Sequence, residues 1–178
     1  MIDQIFATDV WEGLSSNPKR LSSRWFYDEI GDALFQQIMA MPEYYLTRAE
    51  YWILEHYASE IIQQLPKRFE LLELGAGDGT KTKLLLNEIL RSNYSVKYFP
   101  IDISENALGK LNNTLQIEYP NLNSESIQAE YFTALKSPIL NNSEQKLILV
   151  VGSNIWILNF VKSLVFFKEV FKYINSVE

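Results

Sequence analysis

Apolar residues follow two different rhythms along the chain. From Arg24 to Met41 the residues Trp25, Phe26, Ile30, Leu34, Ile38 and Met41 recur at steps of three and four, the period of one helix face. Pro42, which has no N–H for the next helical bond, ends that helix. Thr47-Arg-Ala-Glu50 has the spacing of a capping box, and the face Tyr51, Leu54, Tyr57, Ala58, Ile61 and Leu65 predicts a second helix closed by Pro66. Residues 1–20 are mixed and polar, and the turn-like run Ser15-Ser16-Asn17-Pro18 predicts a loosely attached arm.

From residue 69 short apolar runs alternate with amphipathic ones. Strands are predicted near 69–74, 96–101, 125–130 and 146–151, with helices over about 80–90, 104–119 and 160–174. Strands separated by helices pair in parallel, because each crossover returns the chain to the same end of the sheet. The predicted fold is therefore α/β: a Rossmann-like parallel sheet in spatial order 3-2-1-4, spanning residues 67–178, behind a helical section spanning residues 1–66.

Composition narrows the chemistry. A net charge of -6 with no basic stripe argues against a nucleic-acid partner. No apolar stretch approaches the ~20 residues that cross a bilayer, and the first residues lack the pattern of a signal peptide, so the expectation is a cytoplasmic protein without a membrane partner. The chain has no cysteine and one histidine, His56, off the apolar face of its helix. Thiolate and histidine metal sites, cysteine nucleophiles and a Ser-His-Asp triad drop out. No catalytic nucleophile and no metal ligand is assigned. Aromatic residues are 13% of the chain, enough to fill a core and also to wall a pocket.

The densest chemical signal is Glu73-Leu-Gly75-Ala-Gly77-Asp-Gly79, where the first strand turns into a helix. Glycines there permit a tight turn and close approach of backbone to a ligand. The spacing G-x-G-x-G differs from the dinucleotide pattern G-x-G-x-x-G, and the nearby acid suits a sulfonium such as S-adenosylmethionine (SAM) better than a pyrophosphate. Asp102, at the end of the second strand, stands where ribose hydroxyls are bound in this topology; a turn or capping role is the plainer alternative. Glu130 and Tyr131, after the third strand, are placed to meet an adenine amino group and ring, or else are a solvated acid and a packing aromatic. Lys81 can reach the carboxylate of a SAM tail, or be a surface lysine. Gly152-Ser153-Asn154 ends the fourth strand on the side where substrate would lie.

Several segments then resemble one family in order. Leu21-Ser-Ser-Arg-Trp-Phe-Tyr-Asp28, Leu34-Phe35, Pro42-Glu-Tyr-Tyr45, Thr47-Arg48-Ala-Glu50, ELGAGDGTKT, PIDIS and GSNI are similar to the histidine-specific N-alpha-methyltransferases of ergothioneine biosynthesis, across roughly Lys19 to Ile155. The resemblance implies a class I SAM-methyltransferase fold and transfer of methyl groups from SAM to the alpha-amino nitrogen of histidine or a related small amino acid. It implies that Tyr27 lines the cofactor side, that Tyr44 holds the amino-acid substrate, and that Gly75, Lys81 and Asp102 hold SAM; Gly77 joins them from the reading of the glycine loop. Glu130 and Tyr131 stand where the family carries Asp and Phe. After the fourth strand the family reads approximately G-S-x-I-G-N-F, whereas this chain reads Gly152-Ser-Asn-Ile-Trp-Ile-Leu-Asn159-Phe160, which makes Asn159 the counterpart of a substrate-contacting asparagine.

The family continues beyond the point matched by residue 178, into further strands and a substrate-binding region. Two expectations follow. The sheet is an incomplete version of the family's, truncated at the C-terminus, and a chain of this extent is a poor catalyst; the alternative is an inactive chain that at most binds SAM. The fourth strand, Lys146–Val151, is left at an open edge, which favours a homodimer through edge pairing or through exchange of the helix at 160–174.

Overall fold

The computed structural model describes residues 4–26, 28–152 and 160–175. Three helices come first: α1 (Gln4–Ser15), α2 (Glu29–Ala40) and α3 (Tyr45–Gln63). An alternating series follows, with β1 (Arg68–Leu74), α4 (Thr82–Arg91), β2 (Ser95–Asp102), α5 (Glu105–Glu118), β3 (Asn123–Ser124), β4 (Ile127–Gln128), α6 (Tyr131–Leu135), β5 (Lys146–Leu149) and α7 (Phe160–Asn175).

All the pairings are parallel, and the sheet order is β3-β2-β1-β5 with β4 also on β2. The predicted order 3-2-1-4 is therefore present, with the third strand divided in two. Its sequence, Asn123-Ser-Glu-Ser-Ile-Gln128, is too polar for a continuous buried strand. Instead, Glu125 N–H continues the ladder to the Tyr98 carbonyl at 2.9 Å, and Ser126 turns its hydroxyl to Asn112 at 2.5 Å.

Alternation along β1 and β2 sorts the core into two faces, as a period of two requires. Phe69, Leu71, Val96 and Tyr98 pack with Leu54, Ala58 and Ile62 of α3, Leu85, Leu86 and Ile89 of α4, and Leu111 and Leu115 of α5. Leu72, Leu74, Phe99 and Ile101 pack on the other face with Ala134 and Leu135 of α6, Leu140, and Phe166 of α7. The last helix of the N-terminal section thus shares the core of the sheet.

That section departs from expectation in three places. Residues 4–15 form α1, and the segment after it folds back: Arg20 N–H bonds to the Gly13 carbonyl at 2.9 Å, and a side chain at Gly13 would collide with Arg20 backbone. The Trp25 indole donates to Asp9 at 3.0 Å and packs edge-on against Phe6, so the arm is docked. The helix expected over 24–41 is interrupted, because Asp28 accepts from Gly31 N–H at 2.7 Å and starts α2 afresh after a 3-10 turn at Ser23–Phe26. Finally, α3 begins at Tyr45 rather than at a Thr47 cap, and Glu50 lies inside it.

The apolar stripe of α2 faces outward: Ile30, Leu34 and Ile38 are exposed, and no residue of this helix is fully buried. What holds α2 to the sheet is polar. Asp32 accepts from the Ser104 hydroxyl at 2.7 Å and from the Asn106 amide at 3.0 Å, both at the start of α5. Among the described residues no helix is long and apolar enough to cross a membrane.

Strand β5 pairs with β1 on one side and has no strand on its other side among the described residues. Leu164, Val165, Phe167 and Phe171 of α7 are exposed beside it. A sheet edge beside apolar surface favours association, so the expected outcome of size-exclusion chromatography with light scattering at micromolar concentration is a dimer or larger species. A stable monomer would show that the edge does not recruit a second copy.

Candidate functional site

The carboxyl ends of β1, β2 and β5 converge beneath the loop Gly75–Gly79. Gly75 and Ala76 N–H both bond to the Ile101 carbonyl, at 2.8 and 3.1 Å, which bends the chain sharply off β1. Gly77 and Gly79 take φ of +54° and +67°, the region that a side chain disfavours. They differ in surroundings. A Cβ on Gly79 would stand 2.6 Å from Leu111 Cδ1, so Gly79 serves packing of the loop on α5. A Cβ on Gly77 would meet nothing within 4 Å, so the open face of the loop lies over Gly77.

Asp102 is the side chain that shapes this loop. One carboxylate oxygen accepts from Gly77 N–H and the other from Ser104 N–H, both at 3.0 Å. Burial pushes its carboxyl above the usual range, against the backbone amides of Ser104 and Gly77, which favour the charged form; the nearby Asp32 carboxylate adds to the rise. Asp102 thus fills the turn role that sequence offers as the plainer alternative, and the cap of α5 is Ser104, whose hydroxyl oxygen accepts from Ala107 N–H at 3.1 Å.

Glu73 lies directly below, 1% exposed. Its two oxygens accept from the Thr82 hydroxyl of α4 and the Tyr98 hydroxyl of β2. Both partners are fully buried, and desolvation raises the Glu73 carboxyl from 4.5 to about 7 even though both hydroxyls and Lys81 favour its charged form. The same surroundings hold the Tyr98 hydroxyl well above its ordinary range. The acid that sequence reading set beside the ligand is thus a buried brace of the loop.

The other predicted residues are distributed around this centre. Lys81 immediately precedes α4, and its ammonium bonds to Glu50 of α3 at 2.7 Å. Tyr44 precedes α3, half-buried, its ring edge-on to Phe35 of α2 at 6.2 Å. Arg48 holds the turn that carries Tyr44 by donating to the carbonyls of Met41, Pro42 and Tyr44. Glu130 precedes α6 and is exposed; Tyr131 opens that helix, half-buried, with its ring 6.0 Å from that of Phe166. Tyr27, Asn159, Ser153 and Asn154 lie outside the described residues. His56 stacks on Trp52 with ring centroids 4.2 Å apart, and its Nδ1 lies 2.8 Å from the Trp52 carbonyl, away from this centre.

Sequence reading missed Glu50, which it placed in a capping box. One oxygen takes Lys81 and the other accepts from Gly152 N–H at 2.6 Å. The available signal was its position on α3, off the apolar face and one turn beyond Leu46 and Thr47.

The profile of a family described as "Histidine-specific methyltransferase, SAM-dependent" matches residues 6–176. Histidine N-alpha-methyltransferase of Mycobacterium tuberculosis is 32% identical over 147 residues, covering 83% of this chain and 45% of that protein. N-methyltransferase dtpB of Aspergillus flavus is 32% identical over 101 residues, covering 57% of this chain and 28% of that one. The chain thus spans about half the length of the first of these relatives. Among solved structures, a protein of Methanococcus maripaludis described as a candidate SAM-dependent methyltransferase superposes with a TM-score of 0.54 at 16% identity, over 83% of this chain and 59% of its own, a likeness of fold.

The Glu73 carboxyl gives a signed pH dependence. Its pKa is about 7 in the folded chain against an ordinary 4.5, so the folded state holds the extra proton between these values. The stability this confers is full below about pH 4.5 and is lost as pH rises through 7. Denaturant melts at pH 5 and pH 8 are expected to show wild type losing on the order of 2 kcal/mol more than Glu73→Gln across the interval. Equal losses would mean that Glu73 does not titrate there.

Proposed function

Because the chain belongs to the histidine-specific, SAM-dependent methyltransferase family, we propose that it binds SAM over Gly75–Gly79 and serves methyl transfer to the alpha-amino nitrogen of histidine or a related small amino acid. The observation that carries this reading is the Asp102–Gly77 hydrogen bond, which holds an open, left-handed glycine at the carboxyl end of the sheet with a carboxylate beside it. Ligands of open α/β sheets bind outside the carboxyl ends of the strands, at the point where strand order reverses. Here the chain leaves β1 toward β2 and returns on its other side as β5, so that point lies between β1 and β5.

The residues present fit such a cofactor. The open space above Gly77 admits a ligand against the backbone. Asp102 offers oxygens to ribose hydroxyls, Lys81 a cation to the tail carboxylate, and Glu130 with Tyr131 an acid and a ring to the adenine. When bound, SAM supplies an electrophilic methyl group on a sulfonium. The protein's share of such an in-line displacement is orientation rather than covalent catalysis. Tyr44, fixed at the head of α3 by the Arg48 clasp, is the residue assigned to the acceptor amino acid. Tyr27 and Asn159 complete the assignment as cofactor-side and substrate-side residues.

The kinship with N-methyltransferase dtpB favours keeping a second acceptor class, a small amine other than histidine. A methylation assay with histidine and a panel of amino acids and amines separates the two, and SAM binding without turnover of any of them would mark a binding protein. Calorimetry with S-adenosylhomocysteine tests the cofactor site. Charge-assisted hydrogen bonds contribute roughly 1.5–3 kcal/mol, so Asp102→Ala is expected to lower affinity by about tenfold or more. Unchanged affinity would displace the ribose from Asp102.

A further inference from the structure

The pair formed by Glu50 and Lys81 stands at the reversal point between β1 and β5, because Lys81 follows the β1 loop and Glu50 also holds Gly152 N–H just beyond β5. Both side chains are sheltered, with 15% of Lys81 and 18% of Glu50 exposed. Among the described residues neither is saturated. An ammonium has three donors and a carboxylate about four acceptor positions. Lys81 gives one donor to Glu50, and Glu50 uses one position on each oxygen. Lys146, by contrast, directs its ammonium to the Asn142 carbonyl, the Asn142 side chain and the Glu144 carbonyl, as a structural lysine does.

Charge decides what such a pair can take. A lysine already neutralised at 2.7 Å by a carboxylate offers little net attraction to a simple anion. It suits a group that carries both signs on one carbon, namely an alpha-amino acid head with its carboxylate toward Lys81 and its ammonium toward Glu50. The start of α4 adds to this polarity, since a helix N-terminus favours the negative end. We propose that Glu50 is a binding residue for the alpha-ammonium of the cofactor's amino-acid tail, acting with Lys81 as a receptor for the zwitterion. This rests on the reading above that SAM lies over Gly75–Gly79.

The test removes the ammonium from the ligand and the charge from the protein in turn. Calorimetry compares S-adenosylhomocysteine with its des-amino analogue, adenosine 5′-thioether-linked to butanoic acid, on wild type, Glu50→Gln and Glu50→Asp. Wild type is expected to prefer S-adenosylhomocysteine by about tenfold, equivalent to 1.4 kcal/mol. Glu50→Gln is expected to bind both ligands equally, and Glu50→Asp, which keeps the charge, to retain part of the preference. If Glu50→Gln weakens both ligands by the same factor, Glu50 only clips α3 to the sheet and the inference is overturned. The same follows if wild type binds the two ligands equally. Failure of wild type to bind S-adenosylhomocysteine at all would instead overturn the cofactor reading on which the inference rests.

Discussion

The site depends on a carboxyl group held away from water. Glu73 joins β1 to α4 through Thr82 and to β2 through Tyr98, directly below the glycine loop. Burial there disfavours charge, and two hydroxyls partly offset it. Neutral or charged, the group keeps both strands and the helix in one register, because leaving either hydroxyl without its partner would cost more than a surface contact returns. The loop above can then be open and left-handed without collapsing. Asp102 fixes its shape from the side, and Gly77 faces open space.

The N-terminal helices are attached by a different principle. Helix α3 is bound by apolar packing through Leu54, Ala58 and Ile62, whereas α2 exposes its apolar stripe and is held by Asp32 on Ser104 and Asn106. Polar attachment is directional, so Asp32 sets the angle of α2 relative to the end of β2. Glu50 does the same for α3 relative to Lys81 and Gly152. Both attachments end on the rim where the strands stop. The turn bearing Tyr44 lies between those two helices, so its position combines the core packing of α3 with these polar attachments.

Sheet order and strand direction were legible because alternating apolar strands and amphipathic helices leave few topologies open. The glycine loop was legible because its conformation demands its residues. Less legible was anything that depended on partners distant in sequence. Nothing near Glu73 announces that Thr82 and Tyr98 will enclose it. Nothing near Glu50 announces Gly152, 102 positions away. The N-terminal arm was misread because its order comes from Asp9 meeting Trp25, and the long helix was misread because Asp28 and Gly31 together restart it. The third strand was blurred by polarity, since an edge pairing needs backbone groups more than apolar side chains.

Four carboxyl groups thus gather around the ends of the strands, each restrained by a different partner: Glu73 by hydroxyls, Asp102 by backbone amides, Asp32 by a hydroxyl and a side-chain amide, and Glu50 by a lysine and an amide. A site for pyrophosphate would place cations and free amides here, and fixed carboxylates would repel its charge. The amide of Gly77, which would point at a phosphate, is instead given to Asp102. That allocation leaves the oxygens of Asp102, rather than the Gly77 N–H, as the polar group beside the open glycine. Oxygens of this kind accept from ribose hydroxyls and from an ammonium, and they do not oppose a sulfonium. At this rim the acidic character makes a cationic nucleoside the better match than an anionic one.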